Sequence, residues 1–235
     1  MSKCLNLQTE KLSNFQTPVQ IFVEQSLETG GKEMIPTFSG KNLDPFNAKD
    51  DICIEDIAHA LANINRFNGA TKRPISVAQH SVFVARLIGD SYSLLETDHE
   101  LGLQGLLHDA SEAYLGDVTA FLKRTDGFKD YRDMEFLLQT QIYEAFGCSI
   151  TEDSLIKEAD KLMARYEAYR MFGSDFHFCG HKKEYPLVTQ DEIERIGCWS
   201  PWHWEQAKDV FLAEFERFSS DPSILSTHSW GDKEY

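Results

Sequence analysis

The chain has 235 residues, 42% of them hydrophobic, which suits one folded domain or one domain with an extension. No run approaches the roughly 18 consecutive apolar residues of a membrane helix, and residues 1–16 lack the apolar stretch of a signal peptide, so we expect a cytoplasmic protein without a membrane partner. The net charge of −15 repels polyanions and argues against nucleic-acid binding, although a local group of basic residues could still hold a small anion.

The first 50 residues carry several glycines and prolines and show no sustained periodicity. They predict an irregular N-terminal lead-in over residues 1–50. From Ile54 onward apolar residues recur with helical spacing, and acidic residues occupy the first turn, where the helix dipole favours them. The pair Asn68-Gly69 is a stop signal, so the first helix is predicted to run up to it.

Two further helices are predicted next. Ser76 is followed three residues later by Gln79, a capping box that predicts a second helix with His80 just inside it. Asp98 can cap a third helix, with apolar residues from Leu103 to Ala110 on one side and Leu101, His108 and Glu112 on a neighbouring stripe. Glycines at two positions of that helix favour a close helix neighbour.

The C-terminal half contains three more predicted helices. A fourth fits residues 131–146 and ends at Gly147, and Ser149 with Glu152 forms a capping box for a fifth that carries Asp160. A final helix is predicted to start at Ser200-Pro201. The pattern therefore predicts an all-α helical bundle, divided into a core over residues 51–172 and a C-terminal extension over residues 173–235.

Four ionisable side chains lie near the apolar sides of three predicted helices: His80, the adjacent His108 and Asp109, and Asp160. A charged or polar group in such a position is costly unless it is paired or binds a metal. Each histidine taken alone is typical of an ordinary core position, and an adjacent His-Asp pair is a weak signal. The order and spacing of the four residues give the stronger indication.

That order resembles the H…HD…D signature of the HD superfamily of phosphohydrolases. The runs IEDIAHALANINRFNG, SVAQHSVFVARL and GLLHDASEAYLGDVTAFLKR extend the likeness over about residues 37–171, and they look most like the small bacterial and phage 5′-deoxynucleotidases of that superfamily. The resemblance implies an HD-domain helical bundle in which His80, His108, Asp109 and Asp160 bind a metal.

Two imidazoles and two carboxylates suit a divalent ion and leave positions open for water and a phosphate oxygen. Manganese, cobalt, nickel, iron, zinc and magnesium all remain compatible with this donor set. Between His108 and Asp160 there is no histidine, and the binuclear HD enzymes draw second-ion ligands from that stretch. We therefore expect one ion. The chain also lacks the HDxGHxPFxH run of the large dGTPase-like members.

Acidic residues after the His-Asp pair are candidates for catalysis. Glu112 lies four residues after His108, one turn further along the predicted helix, and could reach a phosphate at the metal. The HDxxE pattern of the resembled nucleotidases implies that Glu112 is a catalytic acid or base. Asp117 matches a second acidic position of that family, which helps to orient water or substrate.

Basic and aromatic residues are candidates for substrate binding. The resembled nucleotidases place an Arg-aromatic pair where this chain has Arg66-Phe67, and arginine makes forked contacts with phosphate while an aromatic ring can stack on a base. Lys123 and Arg124 could complete a local positive patch. Phe67 fits the core equally well, and the Lys-Arg pair could equally be solvated.

The resemblance implies hydrolysis of phosphate esters of small nucleotides, first of all removal of the 5′-phosphate from a deoxynucleoside monophosphate. Two alternatives stay open. One is a small phage-type triphosphohydrolase acting on deoxynucleoside triphosphates, and the other is a nucleotide-binding sensor without turnover. Related small HD proteins often pair, so a homodimer is also compatible with the resemblance.

Overall fold

The chain folds as an all-α protein, as the sequence predicted. The structure is a computed structural model, and it describes residues 34–89, 99–151, 153–173, 187–197 and 199–219. Among these residues no helix combines the length and apolarity that a bilayer crossing requires. The elements are β1 (Ile35–Pro36), β2 (Asn42–Leu43), α1 (Ile54–Asn63), a 3₁₀ turn (Arg66–Gly69), α2 (Val77–Gly89), α3 (His99–Leu106), α4 (Glu112–Leu115), α5 (Ala120–Lys123), a second 3₁₀ turn (Asp126–Phe128), α6 (Lys129–Ala145), α7 (Ser154–Phe172), α8 (Gln190–Ile196) and α9 (Trp204–Phe218).

A small hairpin precedes α1 and modifies the prediction of an irregular lead-in. β1 and β2 pair antiparallel with Ile35 opposite Leu43, and Asp56 in the first turn of α1 holds the connecting turn. Its two carboxylate oxygens accept from the backbone N–H of Ser39 at 2.6 Å and from the Ser39 hydroxyl at 2.9 Å. Two paired residues per strand are too few to give an alternating pattern, so the sequence missed this hairpin. Residues 1–33 of the predicted lead-in lie outside the described residues.

Helix α2 is the centre of the bundle. It packs against α1, α3, α7 and α9, and it separates two apolar clusters. The larger cluster joins α1, α2, α3, α6 and α9, and the smaller one joins α2, α7 and Trp199. The final helix contributes the fully buried rings of Phe211 and Phe215 to the larger cluster, so it shares the core of the bundle. The predicted domain boundaries stay a prediction.

The glycines of α3 permit its close packing, as the sequence indicated. A Cβ atom at Gly102 would collide with the ring of Phe218 in α9, and one at Gly105 would collide with the side chain of Ile88 in α2. α3 therefore lies closer to α2 and α9 than any residue with a side chain at these two positions would allow.

Two predicted helix ends are wrong near the site. α1 ends at Asn63, before Asn68-Gly69, because residues 64–66 leave the helix and pair with the strand-like segment before α2. There Arg66 N–H donates to Ile75 C=O at 2.9 Å. The predicted third helix does not continue through Glu112: α3 stops at Leu106, a tight turn follows, and α4 starts anew at Glu112.

The predicted start of α2 is confirmed. The side chain of Gln79, however, makes different contacts from those of a capping box. Ser76 Oγ accepts from the Gln79 N–H at 3.2 Å, as expected of an N-cap. The Gln79 side chain does not return to the cap. It donates to Ser200 C=O at 3.1 Å and accepts from Trp202 N–H at 2.9 Å, which fastens the segment before α9 to α2.

Among the later helices, α6 matches its prediction to within two residues, and Gly147 follows it with a φ of 72°. The predicted capping box of α7 is wrong, because α7 begins at Ser154 and Asp153 is the N-cap, accepting from Leu155 N–H at 2.8 Å. Glu152 and Asp98 lie outside the described residues. α9 starts at Trp204, four residues after the predicted start.

Two helices were not predicted, the four-residue α5 and the longer α8. α8 falls in the extension that the sequence analysis left without an element before Ser200-Pro201. Its capping box joins Thr189 and Glu192, and Glu192 also binds Arg165 of α7 at 2.7 Å. The Thr-x-x-Glu spacing was visible in the sequence, but only seven residues follow it in helical form, too few for a clear period.

Candidate metal centre

Three elements bring the four predicted ligands together. His80 lies in the first turn of α2, Asp160 lies in the second turn of α7, and His108 and Asp109 lie in the turn after α3. In that turn Ala110 N–H donates to Leu107 C=O at 3.0 Å and Glu112 N–H donates to Asp109 C=O at 3.0 Å, both three residues back along the chain. The turn is tighter than an α-helix, so His108 and Glu112 are not on one helical face as predicted.

The ligand atoms of His80, His108 and Asp109 lie at the separations that a single ion requires, and Asp160 lies beside His80. His80 Nε2 is 3.1 Å from Asp160 Oδ1 and 3.9 Å from Asp109 Oδ2, and His108 Nε2 is 3.2 Å from Asp109 Oδ2. Ligands held about 2.0–2.2 Å from one ion are about 3–4 Å from each other. One atom from each of His80, His108 and Asp109 lies within 4.8 Å of the others, so this group could bind a metal ion.

Hydrogen bonds on the far side of each imidazole aim a nitrogen lone pair at this group. His108 Nδ1 donates to Gly105 C=O at 2.8 Å, because a carbonyl can only accept. The Nε2 of His108 is buried and has no hydrogen-bond partner, although Asp109 lies 3.2 Å away. An orphaned buried nitrogen beside a carboxylate is the donor arrangement that a divalent cation satisfies, so the residues present fit a metal.

Charge also favours a cation here. Burial would lower the pKa of His108, but Asp109 overrides this effect and raises the pKa to about 10. Burial and Arg66 oppose protonation of His80, and Glu167 with Asp160 raise its pKa all the same. Protons therefore bind the same nitrogen lone pairs that a metal ion would use, and the two compete.

Glu112 is a buried acid beside the cluster, with 5% of its surface exposed. Burial, and then the charges of Asp109 and Asp117, raise the pKa of Glu112 to about 9 against the opposing effect of Lys123. One carboxylate oxygen accepts from Lys123 Nζ at 3.2 Å, and the other is buried without a partner. The pKa of Glu112 is therefore raised in the metal-free protein, and a cation bound beside Asp109 would lower it.

Asp117 follows Gly116 at the end of α4 and is half-buried near the same charges. Burial raises the pKa of Asp117, Arg66 opposes this effect, and Asp109 adds to it. The structure thus brings both predicted catalytic acids into the electrostatic field of the ligand cluster.

Lys123 lies beside Glu112, and its ammonium group is paired with acidic residues. Its Nζ lies 3.2 Å from Glu112 Oε1 and 2.5 Å from Glu135 Oε1 of α6, so it is bound between two acids. The two acids raise the pKa of Lys123 against the effect of burial, so it stays charged. Arg124, the next residue, is exposed. Lys123 thus contacts the predicted catalytic residue Glu112.

Arg66 is mostly buried, with 13% of its side chain exposed, and it faces the ligand cluster. Its Nε donates to Glu167 Oε2 at 2.8 Å, and its Nη1 lies 3.7 Å from Asp109 Oδ2. Burial would lower the pKa of Arg66, but Glu167 and then Asp109 more than offset it, so the guanidinium is permanently charged.

Glu167 is the site residue that sequence reasoning missed. It is completely buried in α7, and its second oxygen, Oε1, lies 2.9 Å from His80 Nδ1. Burial alone would raise the pKa of Glu167, but Arg66 and His80 hold it below its usual value. A signal was present, because Glu167 follows Asp160 by seven residues, which is two helical turns on the same face.

Phe67 lies at the rim of the site in a strained turn. Both Phe67 and Asn68 have left-handed backbone angles, with φ of 56° and 51°. The half-buried ring of Phe67 packs edge-on against Phe172 at 5.5 Å, and the Arg66 guanidinium carbon lies 5.8 Å from its centre. Such strain persists only where surrounding contacts fix it, and it is common beside binding sites.

Sequence comparison finds proteins that are similar to this chain. No protein-family model matches it. The chain is 40% identical over 135 residues to the uncharacterized protein YfdR of Escherichia coli K12, in an alignment that covers 57% of this chain and 69% of YfdR. The chain belongs to the YfdR family.

A second relative is the uncharacterized protein RCAP_rcc00048 of Rhodobacter capsulatus. It is 36% identical over 142 residues, which cover 57% of this chain and 71% of that protein. Both of these relatives are described as uncharacterized proteins.

Proposed function

We propose that this chain is a metal-dependent phosphohydrolase of the HD type that hydrolyses phosphate esters of small nucleotides. The first reaction we propose is removal of the 5′-phosphate from a deoxynucleoside monophosphate. One observation carries the proposal: two imidazole Nε2 atoms and two carboxylates converge beside a charged arginine and a buried acid that holds a proton. The choice of nucleotide rests on the resemblance to HD nucleotidases.

The ion would be held by His80, His108, Asp109 and Asp160, with one ion per chain. When bound, a divalent ion supplies a Lewis acid that draws electron density from a phosphoryl oxygen. Manganese, cobalt, nickel, iron, zinc and magnesium all suit nitrogen and oxygen ligands. Asp160 is more open than the other ligands, with 40% of its side chain exposed, which gives the cluster an approach from solvent.

Arg66 would bind the scissile phosphate. Its Nε is held by Glu167, and its Nη1 faces the ligand cluster 3.7 Å from Asp109, so free guanidinium protons point to where a phosphate would lie. A guanidinium presents its donors in a planar fork that matches two phosphate oxygens. Lys123 adds a second positive charge next to Glu112. Both cations are paired with carboxylates in the metal-free protein, so a bound divalent ion would supply the further positive charge that a phosphate needs.

Glu112 would donate a proton to the leaving oxygen of the nucleoside. A general acid must hold its proton at the working pH, and burial together with Asp109 and Asp117 raises the pKa of Glu112 to about 9. Asp117 would orient water or substrate in the same field. Phe67 offers a ring at the rim against which a base could stack, and Arg124, which is exposed next to Lys123, would contact a phosphate from the solvent side.

The test is release of inorganic phosphate by purified protein. Chelator-treated protein is reloaded separately with each of the six ions and is assayed on the nucleoside and deoxynucleoside mono-, di- and triphosphates. We expect release from deoxynucleoside monophosphates, and the His108→Ala protein is the matched control for contaminating phosphatases. Release of triphosphate would instead assign the triphosphohydrolase reaction, and tight nucleotide binding without any turnover would assign the sensor.

A further inference from the structure

Glu167 occupies a position that neither an ordinary ion pair nor an ordinary buried acid explains. Its carboxylate is fully buried, and each of its two oxygens faces a different residue of the site: Oε2 faces Arg66 Nε at 2.8 Å, and Oε1 faces His80 Nδ1 at 2.9 Å. Arg66 belongs to the phosphate-binding part of the site, and His80 belongs to the metal-binding part. Glu167 is hydrogen-bonded to both residues.

The contact with His80 determines what that histidine can do. An ionised carboxylate only accepts hydrogen bonds, so His80 Nδ1 must carry the proton and donate it. His80 Nε2 is then the nitrogen whose lone pair can face a metal, and it lies 3.1 Å from Asp160 Oδ1 and 3.9 Å from Asp109 Oδ2. A carboxylate behind a ligating histidine fixes both its tautomer and its ring orientation.

The contact with Arg66 determines where the remaining guanidinium donors point. With Nε held by Glu167, Nη1 lies 3.7 Å from Asp109 Oδ2, on the side of the ligand cluster. A phosphate that bridges the ion and Arg66 would need this orientation. Without Glu167, the guanidinium could turn and pair fully with Asp109, which would compete with the ion for that ligand.

We propose that Glu167 is a positioning residue whose single carboxylate fixes the Nδ1–H tautomer of His80 and the orientation of Arg66 together, and thereby couples ion binding to phosphate binding. The inference rests on the proposed function. It adds that the two halves of the site share one support, so that a change at Glu167 weakens both, although Glu167 touches neither the ion nor the phosphate.

Glutamine at this position separates the proposal from a simple packing role. It has nearly the shape of glutamate, but only one of its two terminal atoms accepts a hydrogen bond. If the amide oxygen faces His80, the NH₂ group opposes the N–H of Arg66. If the amide is turned round, its NH₂ faces His80 Nδ1 and favours the wrong tautomer. Either orientation loses one of the two contacts.

The experiment measures two affinities without turnover. Mn²⁺ is titrated by calorimetry into chelator-treated protein, and inorganic phosphate is titrated into the same protein at saturating Mn²⁺. For Glu167→Gln we expect Mn²⁺ affinity to fall roughly 10–100-fold, the usual range for a residue behind a metal ligand, and phosphate affinity to fall as well. Glu158→Gln is the matched control, because Glu158 is exposed on the same helix and the substitution removes the same charge.

Glu167→Asp is a second variant, needed because Glu167→Gln would also lose both affinities if it simply failed to fold. It keeps the negative charge beside Arg66 but is one methylene shorter, so it cannot reach both partners. We expect it to keep a melting temperature closer to wild type and still to bind both Mn²⁺ and phosphate more weakly. Wild-type affinities in the aspartate variant would show that only the charge matters and would overturn the positioning role.

The remaining outcomes separate this inference from the proposed function. If wild-type protein binds no Mn²⁺ or other divalent ion, the proposed function fails first. If wild-type protein binds Mn²⁺ and phosphate, and Glu167→Gln behaves like Glu158→Gln, only the present inference is refuted. Loss of one affinity with the other unchanged would refute the coupling.

Discussion

Two buried glutamates on opposite sides of the candidate metal centre differ in their protonation. Glu167 is fully buried, yet Arg66 and His80 hold its pKa below the usual value. Glu112 is 5% exposed, yet burial and two neighbouring aspartates raise its pKa to about 9. Burial is nearly equal, so the neighbours decide: two donors keep Glu167 charged, whereas at Glu112 burial and two like charges together outweigh Lys123 and Arg66. The same site thus contains one carboxylate that is suited to orient its neighbours through hydrogen bonds, and a second carboxylate that is suited to proton transfer.

The largest expected effect is that of removing the centre that both glutamates flank. His108→Ala deletes the orphaned Nε2 and leaves Asp109 without its adjacent imidazole, so we expect loss of metal binding and of turnover. Metal content by mass spectrometry of purified protein checks the first, and phosphate release checks the second. Unchanged metal content, or two tightly bound ions per wild-type chain, would contradict a single site built on these ligands.

The proton-transfer side of the comparison is tested by Glu112→Gln. The amide keeps the size of the side chain and cannot donate an acidic proton, so kcat is expected to fall by roughly 10²–10⁴-fold, the usual range for general acid–base catalysis. Metal content and melting temperature should stay near wild type. Asp117→Asn serves as the graded comparison, with a smaller fall in kcat and a larger rise in KM. Wild-type kcat in the Glu112→Gln protein would remove Glu112 from the mechanism.

Arg66→Lys tests the other side of the comparison, where Glu167 holds the guanidinium of Arg66. Lysine keeps the positive charge next to Glu167, but it cannot donate to that carboxylate and to a phosphate through a planar fork. We expect KM for the nucleotide to rise about tenfold or more while metal content is retained. Steady-state kinetics at saturating metal gives the answer. A lost metal with an unchanged KM would mean that Arg66 serves the ligands and not the phosphate.

The smallest effect concerns stability against pH in chelator-treated protein. Glu112 has a folded-state pKa of about 9, above its ordinary value of 4.5, so the folded state binds the extra proton between these values. The free energy of unfolding should therefore decline as pH rises through that window. Glu112→Gln should flatten the decline, measured by urea unfolding from pH 5 to 9. Glu167, whose pKa is lowered, contributes in the opposite sense, and its contribution is lost as pH falls through its folded-state pKa.

Much of the fold could be predicted because it depends on local signals. The helical spacing after Ile54, the Ser76 cap of α2 and the glycine after α6 act within a few residues of the chain, and the structure agrees with them. The tight turn after α3 has no comparable signal, because Gly102 and Gly105 allow close packing in a continuous helix as well. The hairpin before α1 is held mainly by Asp56, which is distant in sequence from the turn.

The residues of the candidate site likewise divide into those that local sequence could predict and those that depend on contacts between helices. Residue types and spacing were enough to predict that His80, His108 and Asp109 would group where a metal could bind. The roles of Asp160 and Glu112 stay predictions. Glu167 and Glu135 were missed because each binds a partner in another element: Glu167 binds Arg66 across 101 residues, and Glu135 of α6 binds Lys123 across 12. Such pairs depend on which helices pack together, and a single sequence does not contain that information directly.

Gly105 has a consequence beyond helix packing. It allows α3 to approach Ile88 of α2, and its carbonyl oxygen also orients His108. The turn that carries His108 is therefore tied to α2, the helix that carries His80, at a position without a side chain. In a scan of all single substitutions scored for metal uptake, alanine at Gly105 should have a small effect, because the end of the Ile88 side chain can move aside, and larger side chains should have progressively larger effects.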